Sequence, residues 1–169
     1  MSGARTRART AGRELAVQQL QALLREEAEL QFAEFTNDTA LALGMALVEA
    51  AKTQHKAVTI DICRNGQQRF HCALAGASAD NDAWIRRKNN VVNRYGHSSL
   101  CVGTEFRARG TTFEDASRLD IDRYAAHGGA FPVIVRNVGV VGTVTVSGLP
   151  QLEDHALVVG VLRQFLSKP

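Results

Sequence analysis

The stretch HGGAFPVIVRNVGVVGTVTVSGLPQLEDHALVVGVL, from His127 to Leu162, decides how this chain folds. It contains two runs rich in β-branched residues, 132–136 and 140–146, separated by Asn137-Val138-Gly139. Such runs on either side of a short, glycine-containing loop predict a β-hairpin. The helical spacing of apolar residues from Leu152 onward predicts that a buried helix follows this hairpin directly.

The two ends of this hairpin carry sequences that redirect the chain. His127-Gly128-Gly129 predicts the end of a preceding helix, because glycine tolerates the left-handed backbone that a helix C-terminus favours. Residues 147–150, Ser-Gly-Leu-Pro, predict a turn into the last helix. Glu153 and Asp154 fall in the first turn of that helix, where the helix dipole favours carboxylates.

The beginning of the chain predicts two helices. Residues 15–35 carry spaced leucines among Gln, Glu and Arg, a pattern typical of a helix that packs one face. Thr36 or Asn37 caps a second helix that runs to about Lys52 and is apolar on nearly all sides. We therefore expect this second helix to be covered twice, by the sheet and by another element or subunit.

Residues 57–75 predict a further hairpin whose register follows from its loop. A three-residue loop, Arg64-Asn65-Gly66, places Ile60 opposite Phe70 and keeps apolar side chains on one face of the hairpin. A two-residue Asn-Gly loop would instead mix apolar and polar side chains on each face. The sequence therefore predicts the three-residue loop.

Three helical segments separate the two hairpins. Residues 80–95 form one helix with an apolar stripe, and Lys88 lies inside that stripe. His97-Ser98-Ser99 begins a short second segment, and a capping box over residues 111–114 opens a helix that runs to Ala126. Two hairpins joined by helices, without βαβ units, predict an α+β domain with an antiparallel sheet and helices on its faces.

Composition places the chain among ordinary globular domains. It has 169 residues, 45% of them hydrophobic, and no apolar run approaches the length of a membrane span. Three cysteines without a CxxC pair indicate a reducing compartment rather than a disulfide framework. We therefore expect a cytoplasmic protein.

The basic character of the chain is concentrated in its first residues. The formal net charge is +3, yet four arginines and no acid occur in residues 1–13, so the remainder is nearly neutral. We expect residues 1–13 to be a disordered basic tail and residues 14–169 to be one domain. Because no basic face is evident on that domain, the sequence predicts no role in nucleic-acid binding.

A few polar residues stand out as candidates for chemistry. The five histidines never fall at helical metal-binding spacing, so no metal site is predicted. His127 stands beside two glycines that would let a ligand approach the backbone, although its ring could equally cap the preceding helix. Lys88 needs water, a partner or a bound anion because it lies among apolar residues. Cys101 is read as a packing residue or, alternatively, as an activated thiol.

Four segments carry a resemblance to a known family. They are VTIDICRNGQQRF, WIRRKNNVVNRYGHSS, HGGAFPVIV and GVVGTVTVSGLPQLEDHALVVGVL, and with their spacing they extend from about Leu20 to the C-terminus. Together they resemble the haem-degrading-domain family of GlcG and HbpS-like proteins, and most closely its branch known as uncharacterised protein family 0303. The resemblance implies a profilin/PAS-like three-layer α-β-α domain with a central antiparallel sheet, in homodimers that build larger oligomers.

The resemblance also implies a ligand. Members of the wider family bind haem or related tetrapyrroles, whereas the closer branch has no settled activity. This chain departs from the wider family at residues 87–90, Arg-Lys-Asn-Asn, where that family has small residues. The leading hypothesis is a homo-oligomeric domain whose pocket holds a small anionic or tetrapyrrole-like molecule. The residues expected to line that pocket are Trp84, Lys88, Asn89, His97, Ser98, His127, Gly128 and Gly129.

Two other functions remain open from the sequence. The chain is alternatively a scaffold or adaptor that acts through its assembly and its protein contacts. A third hypothesis is an enzyme that acts on a small oxidised metabolite through Cys101 or His127. No catalytic residue is assigned, because the chain lacks a nucleophile elbow, a phosphate-binding loop and a dinucleotide fingerprint.

Overall fold

The computed structural model describes the backbone of residues 2–167 and the side chains of residues 9–167. The helices and strands follow one another in the order α-α-β-β-α-α-α-β-β-α. Their bounds are α1 (Ser2–Glu29), α2 (Asn37–Thr53), β1 (Thr59–Arg64), β2 (Gln67–Ala73), α3 (Ala79–Tyr95), α4 (Ser99–Ala108), α5 (Phe113–Ala116), β3 (Ala130–Val135), β4 (Gly139–Ser147) and α6 (Gln151–Leu166).

The two hairpins join into one antiparallel sheet with the strand order β2-β1-β4-β3. The central strands pair so that Ile60 lies opposite Val146 and Ile62 opposite Val144. Helices α2 and α6 cover one face of this sheet, and α3 covers the other. This arrangement confirms the predicted α+β fold, a three-layer α-β-α domain with a central antiparallel sheet.

The two faces of the sheet differ in polarity because successive side chains of a strand point to opposite sides. Ile60, Ile62, Val144 and Val146 join the main apolar core beneath α2 and α6. The opposite face carries Thr59, Asp61, Thr143 and Thr145, all of them buried. Helix α3 therefore packs on a polar layer, whose hydrogen-bonding groups need partners from that helix.

The register of the first hairpin differs from the prediction. The turn contains two residues, Asn65 and Gly66, both with positive φ, as expected for a tight Asn-Gly hairpin turn. A β-bulge between Ile62 and Cys63 then shifts the pairing by one residue, so that Ile62 lies opposite Phe70. The bulge keeps apolar side chains on one face without the predicted three-residue loop.

The segment before the second hairpin is also less helical than predicted. Thr112 caps α5 by accepting a hydrogen bond from the Asp115 backbone amide, yet α5 ends at Ala116. Arg118 then adopts a positive φ of 60°, which interrupts the helix. No helix therefore leads into His127, and the glycines after it do not serve as a helix stop.

Helix α1 covers most of the segment that was expected to be a disordered tail. It begins at Ser2, although Met1 and the side chains of residues 2–8 lie outside the described part of the chain. Arg13 donates from its Nε to the Ala108 carbonyl at 3.3 Å, so this part of α1 lies against the end of α4. At its other end α1 stops at Glu29 rather than at Phe35, because Phe32 pairs with the edge of β3.

The second helix is covered on one side. Leu43 and Leu47 of α2 are fully buried in the main core, whereas Leu41 and Met45 on its outer side are 54% and 55% exposed.

Among the described residues, we find no helix that combines the length and the hydrophobicity needed to cross a bilayer.

Candidate functional site

A cleft of about 340 Å³ opens where the first turns of α3 and α6 meet the end of β4. We call it the Trp84–His127 cleft. Its size lies at the lower end of the range for small-molecule sites. Its lining residues are Asp80, Asn81, Trp84, Lys88, His127, Gly128, Ser147, Gly148, Leu149, Gln151 and Asp154.

A buried ion pair forms one wall of the cleft. Lys88 extends from α3 past the end of β4, and its Nζ donates to the Asp154 carboxylate of α6 at 3.3 Å. The same ammonium donates to the backbone carbonyls of Val146 at 2.7 Å and Gly128 at 3.2 Å. With three acceptors in place, the ammonium has used its full set of donors.

Of the alternatives open for Lys88, water, a partner or a bound anion, the structure shows a partner, Asp154. Burial lowers the pKa of its ammonium, and the charge of Asp154 opposes this shift. Burial likewise raises the pKa of Asp154, against the effect of the Lys88 charge and of the hydrogen bond from the Leu149 backbone amide. Each charged group is the main compensation for the desolvation of the other.

The glycines beside His127 serve the packing of this pair. Gly129 has a φ of 131°, and a Cβ there would lie 2.3 Å from Lys88 Nζ. A Cβ on Gly128 would lie 2.3 Å from the backbone carbonyl of Gln151. The loop is therefore packed closely between α3 and the first turn of α6, and a side chain at either glycine would collide with one of these neighbours.

An aromatic pair stands at the mouth of the cleft. The rings of Trp84 and His127 meet edge to face, with their centroids 5.4 Å apart. The imidazole is 43% exposed, and its Nε2 lies 3.5 Å from a Glu114 carboxylate oxygen. On the other side, the Arg87 guanidinium carbon lies 4.4 Å from the Trp84 ring centroid, within cation–π distance.

Asn89 lies in the polar layer between α3 and the sheet, outside the cleft. Its amide donates to Asp61 at 3.2 Å and accepts a hydrogen bond from Thr145 at 2.5 Å. The same buried Asp61 carboxylate lies 3.0 Å from Nδ1 of His71, whose Nε2 lies 2.9 Å from Asp82. This network satisfies the buried carboxylate, so Asn89 is a structural residue of the layer and its predicted place in the cleft is wrong.

His97 and Ser98 lie at the contact between α1 and α4, where they do not line the cleft. The Glu27 carboxylate accepts hydrogen bonds from His97 Nδ1 at 2.6 Å and from the Ser98 backbone amide at 2.7 Å. Hydrogen bonding to Glu27 raises the pKa of His97. Ser98 caps α4 through the Cys101 backbone amide, as its sequence position predicts.

Potential metal ligands do come together at this contact. A carboxylate oxygen of Glu27, a ring nitrogen of His97 and the Cys101 sulfur all lie within 4.8 Å of one another. Burial, followed by the nearby Glu27 carboxylate, raises the pKa of the Cys101 thiol. The thiol is thus held protonated, and the carboxylate already accepts hydrogen bonds on both oxygens. Glu27, His97 and Cys101 therefore form a hydrogen-bonded contact that holds the start of α4 against α1.

The sequence therefore identified part of the cleft. Trp84, Lys88, His127 and Gly128 line it, and Gly129 packs against Lys88 Nζ. The partner of Lys88 was missed, because Asp154 looked like an ordinary dipole residue of a helix first turn. Nothing in the sequence indicated that the remaining lining residues belong to one site, because they meet only through the topology of the sheet. These residues are Asp80, Asn81, Ser147, Gly148, Leu149 and Gln151.

Comparison with known proteins identifies relatives. A family model described as "Haem degrading protein HbpS-like" matches residues 35–163. A UPF0303 protein of Streptomyces coelicolor is 62% identical over 143 residues, which cover 85% of this chain and 90% of that protein. The crystal structure of Ybr137w protein is 36% identical, with a TM-score of 0.79 and 86% of each chain covered. A crystal structure of a PduOC:heme complex is 15% identical, with a TM-score of 0.62 over 78% of this chain and 94% of that one, and it shows a shared fold.

Proposed function

The chain belongs to the HbpS-like family of haem degrading proteins, and on that premise we propose that it is a small-ligand-binding domain that works as a homo-oligomer. We propose a tetrapyrrole as the ligand and the mouth of the Trp84–His127 cleft as its site. We further propose that residues 14–169 are the ligand-binding unit and that the protein works in the cytoplasm. The free state of Cys63, Cys72 and Cys101 supports this reducing compartment.

The observation that carries the ligand proposal is the position of His127. Its imidazole is partly exposed, stands at the rim of a cleft and packs edge to face against Trp84. A histidine nitrogen is a common axial ligand of haem iron. None of the other four histidines lines this cleft.

The residues at the cleft mouth fit a haem-type group. His127 would hold the metal, Trp84 would contact the flat macrocycle, and the Arg87 guanidinium would pair with an acidic side chain of the ring. Glu114 lies 3.5 Å from His127 Nε2 and can orient the imidazole through that atom, so that Nδ1 would hold the metal. When bound, haem supplies one-electron and O₂ chemistry of its own.

The small-anion form of the hypothesis has weaker support. Lys88, the buried cation of the cleft, is already neutralised by Asp154 and bonded to two backbone carbonyls. Asp80 also lines the cleft and would repel an anion. Arg87 lies at the rim of the cleft, and its guanidinium can attract an anionic ligand that extends out of the cleft.

Haemin titration of the purified full chain tests the ligand proposal. We expect a shifted and saturable Soret band for the natural protein, a band with altered position and weaker binding for His127→Ala, and weaker binding with an unchanged band for Trp84→Leu. The matched control is His55→Asn, an exposed histidine outside the cleft whose positive φ of 53° suits asparagine.

Two results would remove the tetrapyrrole. One is the absence of any Soret shift with the natural protein. The other is an identical spectrum for His127→Ala and the natural protein, which would place any bound haemin elsewhere. Either result would leave the scaffold hypothesis in place, since that function does not require the cleft.

The exposed side of α2 supports the homo-oligomer and favours the scaffold as the second candidate. Leu41 and Met45 stand one helical turn apart and are both more than half exposed. A second copy of the chain that covered them would complete the burial of a helix that is apolar on nearly all sides. Light scattering after gel filtration tests this, with Leu41→Glu/Met45→Glu expected to give the monomer. A monomeric natural protein, or an unchanged mass for the variant, would contradict this interface.

A further inference from the structure

Four arginines converge where the first half of α1 lies against the end of α4. Arg9 and Arg13 come from α1, Arg107 comes from the last turn of α4, and Arg109 is the C-cap residue of α4. They surround a concavity of about 540 Å³, completed by small residues of both segments, Thr10, Gly12, Gly110 and Thr111. Among the residues whose side chains the structure describes, none lines both this concavity and the Trp84–His127 cleft.

Three of the four arginines form contacts that leave other N–H donors of their guanidinium groups available. Arg13 donates from Nε to the Ala108 carbonyl at 3.3 Å, and Arg107 donates from Nη2 to the Thr104 hydroxyl at 2.6 Å. Arg109 forms an ion pair with Glu105 through one terminal nitrogen. A guanidinium group carries five N–H donors, so these bonds position the groups without exhausting them.

The ordinary structural explanation accounts for only part of this charge. Cations stabilise the C-terminus of a helix, whose dipole is equivalent to about half a negative charge. Glu105 pairs with Arg109, and Glu114 attracts Arg107. These contacts offset only part of the charge of the four arginines, and among the described residues no carboxylate lines the concavity. An anion would balance this excess.

The residue type narrows the class of anion. Guanidinium forks match the oxygens of phosphate in bidentate pairs, which arginine forms better than lysine. Thr10 and Thr111 are the other polar residues of the lining. Within the part of the chain that the structure describes, no aromatic side chain lines the concavity, whereas sites for single-stranded nucleic acid place aromatic rings against the bases.

We infer that the concavity formed by Arg9, Arg13, Arg107 and Arg109 binds an oligophosphate, the linked phosphate groups that inorganic polyphosphate and nucleoside triphosphates share. The size of the concavity suits a molecule with several charged groups rather than a single small ion. The site is independent of the tetrapyrrole proposal, because neither its residues nor its ligand belong to the Trp84–His127 cleft.

Isothermal titration of the full chain with sodium tripolyphosphate, ATP and adenosine tests this inference. We expect tripolyphosphate and ATP to bind with similar affinity, adenosine not to bind, and both affinities to fall as salt rises. Arg9→Gln/Arg13→Gln and, separately, Arg109→Gln should each weaken binding by about tenfold or more. Arg25→Gln, an exposed arginine of the same helix outside the concavity, should bind like the natural protein.

The variants lie on the surface, and circular dichroism verifies that each keeps its helical content. Arg109→Gln retains the Arg13 contact with α4. A loss of binding in both Arg109→Gln and Arg9→Gln/Arg13→Gln therefore cannot come from detachment of α1 alone. Equal affinity of the natural protein and both variants would overturn the inference. So would binding of ATP or of a single-stranded oligonucleotide without binding of tripolyphosphate, since recognition would then rest on the base.

Discussion

Lys88 of α3 and Asp154 of α6 form an ion pair across the end of the sheet, with their Nζ and Oδ2 atoms 3.3 Å apart and their side chains 2% and 4% exposed. The two helices lie on opposite faces of the sheet, so the pair ties the outer layers together where β4 ends. The loop at residues 127–129 passes between them, and its Gly128 carbonyl accepts a hydrogen bond from Lys88 Nζ. The pair therefore also fixes the loop that carries His127.

Removal of one member of this pair should be strongly destabilising. Lys88→Met leaves the Asp154 carboxylate buried without its cation, and we expect a loss of about 3–5 kcal/mol in the free energy of unfolding. The double variant Lys88→Met/Asp154→Leu should recover most of this loss, because neither charge then remains buried. Urea unfolding of the natural protein, of the single variants Lys88→Met and Asp154→Leu, and of the double variant measures both effects. If the double variant were as unstable as the sum of the single variants, the pair would not be coupled.

A glycine of β4 should be irreplaceable for steric reasons. A Cβ on Gly142 would lie 1.9 Å from the Cys63 carbonyl oxygen of the neighbouring strand. We expect Gly142→Ala to lower the free energy of unfolding by about 2 kcal/mol or more, because the backbone of both central strands must shift.

Gly160, inside α6, provides the matched control. A Cβ there would meet no atom within 4 Å. Because alanine forms helix better than glycine, Gly160→Ala should raise stability by about 0.5–1 kcal/mol. Thermal unfolding of the two variants compares the effects directly, and a neutral Gly142→Ala would show that β1 and β4 do not pair in the register described.

The His97–Glu27 contact should make stability depend on pH. The hydrogen bond to Glu27 raises the pKa of His97 above its ordinary 6.5 in the folded protein. The resulting stabilisation is fully present below the unfolded pKa and is lost as the pH rises through the folded pKa.

We therefore expect His97→Gln to be less stable than the natural protein at about pH 5.5, and the difference to shrink as the pH rises above neutrality. Since the imidazole is 45% exposed, the effect should stay below about 1 kcal/mol. Denaturant unfolding over this pH range measures it, with His55→Asn as the control. A difference that grew with pH would contradict the assignment.

Cys101 should be an unreactive thiol, contrary to the hypothesis of an activated nucleophile. The side chain is 2% exposed, and burial together with the neighbouring carboxylates raises its pKa. Burial and the charge of Asp61 raise the pKa of Cys63 to about 12. We expect alkylation of both native thiols to be more than about tenfold slower than in urea. A fast native rate at Cys101 with a midpoint below about 8.5 would restore the activated-thiol hypothesis.

The sequence predicted well where a pattern repeats within one element. The strands on either side of Asn137-Val138-Gly139 and the N-caps at Thr36 and Ser98 occur where local spacing placed them. It failed where two local effects competed. The β-bulge after Ile62 allowed a tight turn that strict alternation had excluded, and the positive φ of Arg118 ended a helix that began with a good cap.

For the candidate site, too, the sequence predicted what depends on one element and missed what depends on contacts between distant elements. Lys88 was recognised as anomalous, because an ammonium on an apolar stripe needs a partner, and this was correct. The identity of the partner was beyond reach, since Asp154 is 66 residues away and meets Lys88 only once both helices pack on the sheet. Asn89 and His97 were grouped with Lys88 because all three lie in a segment that resembles the family, yet their side chains bond in different layers of the domain.

Amphipathic spacing, β-branched runs and turn residues act over a few residues, so the sequence by itself determined the elements, the class of the fold and the need of Lys88 for an acceptor. The tertiary structure alone decided which distant groups share a cleft, that two glycines make room for an ammonium and a helix turn, and that arginines of α1 and α4 meet. These outcomes depend on how the layers pack across the sheet, where contacts between residues far apart in the chain are set by strand order and burial.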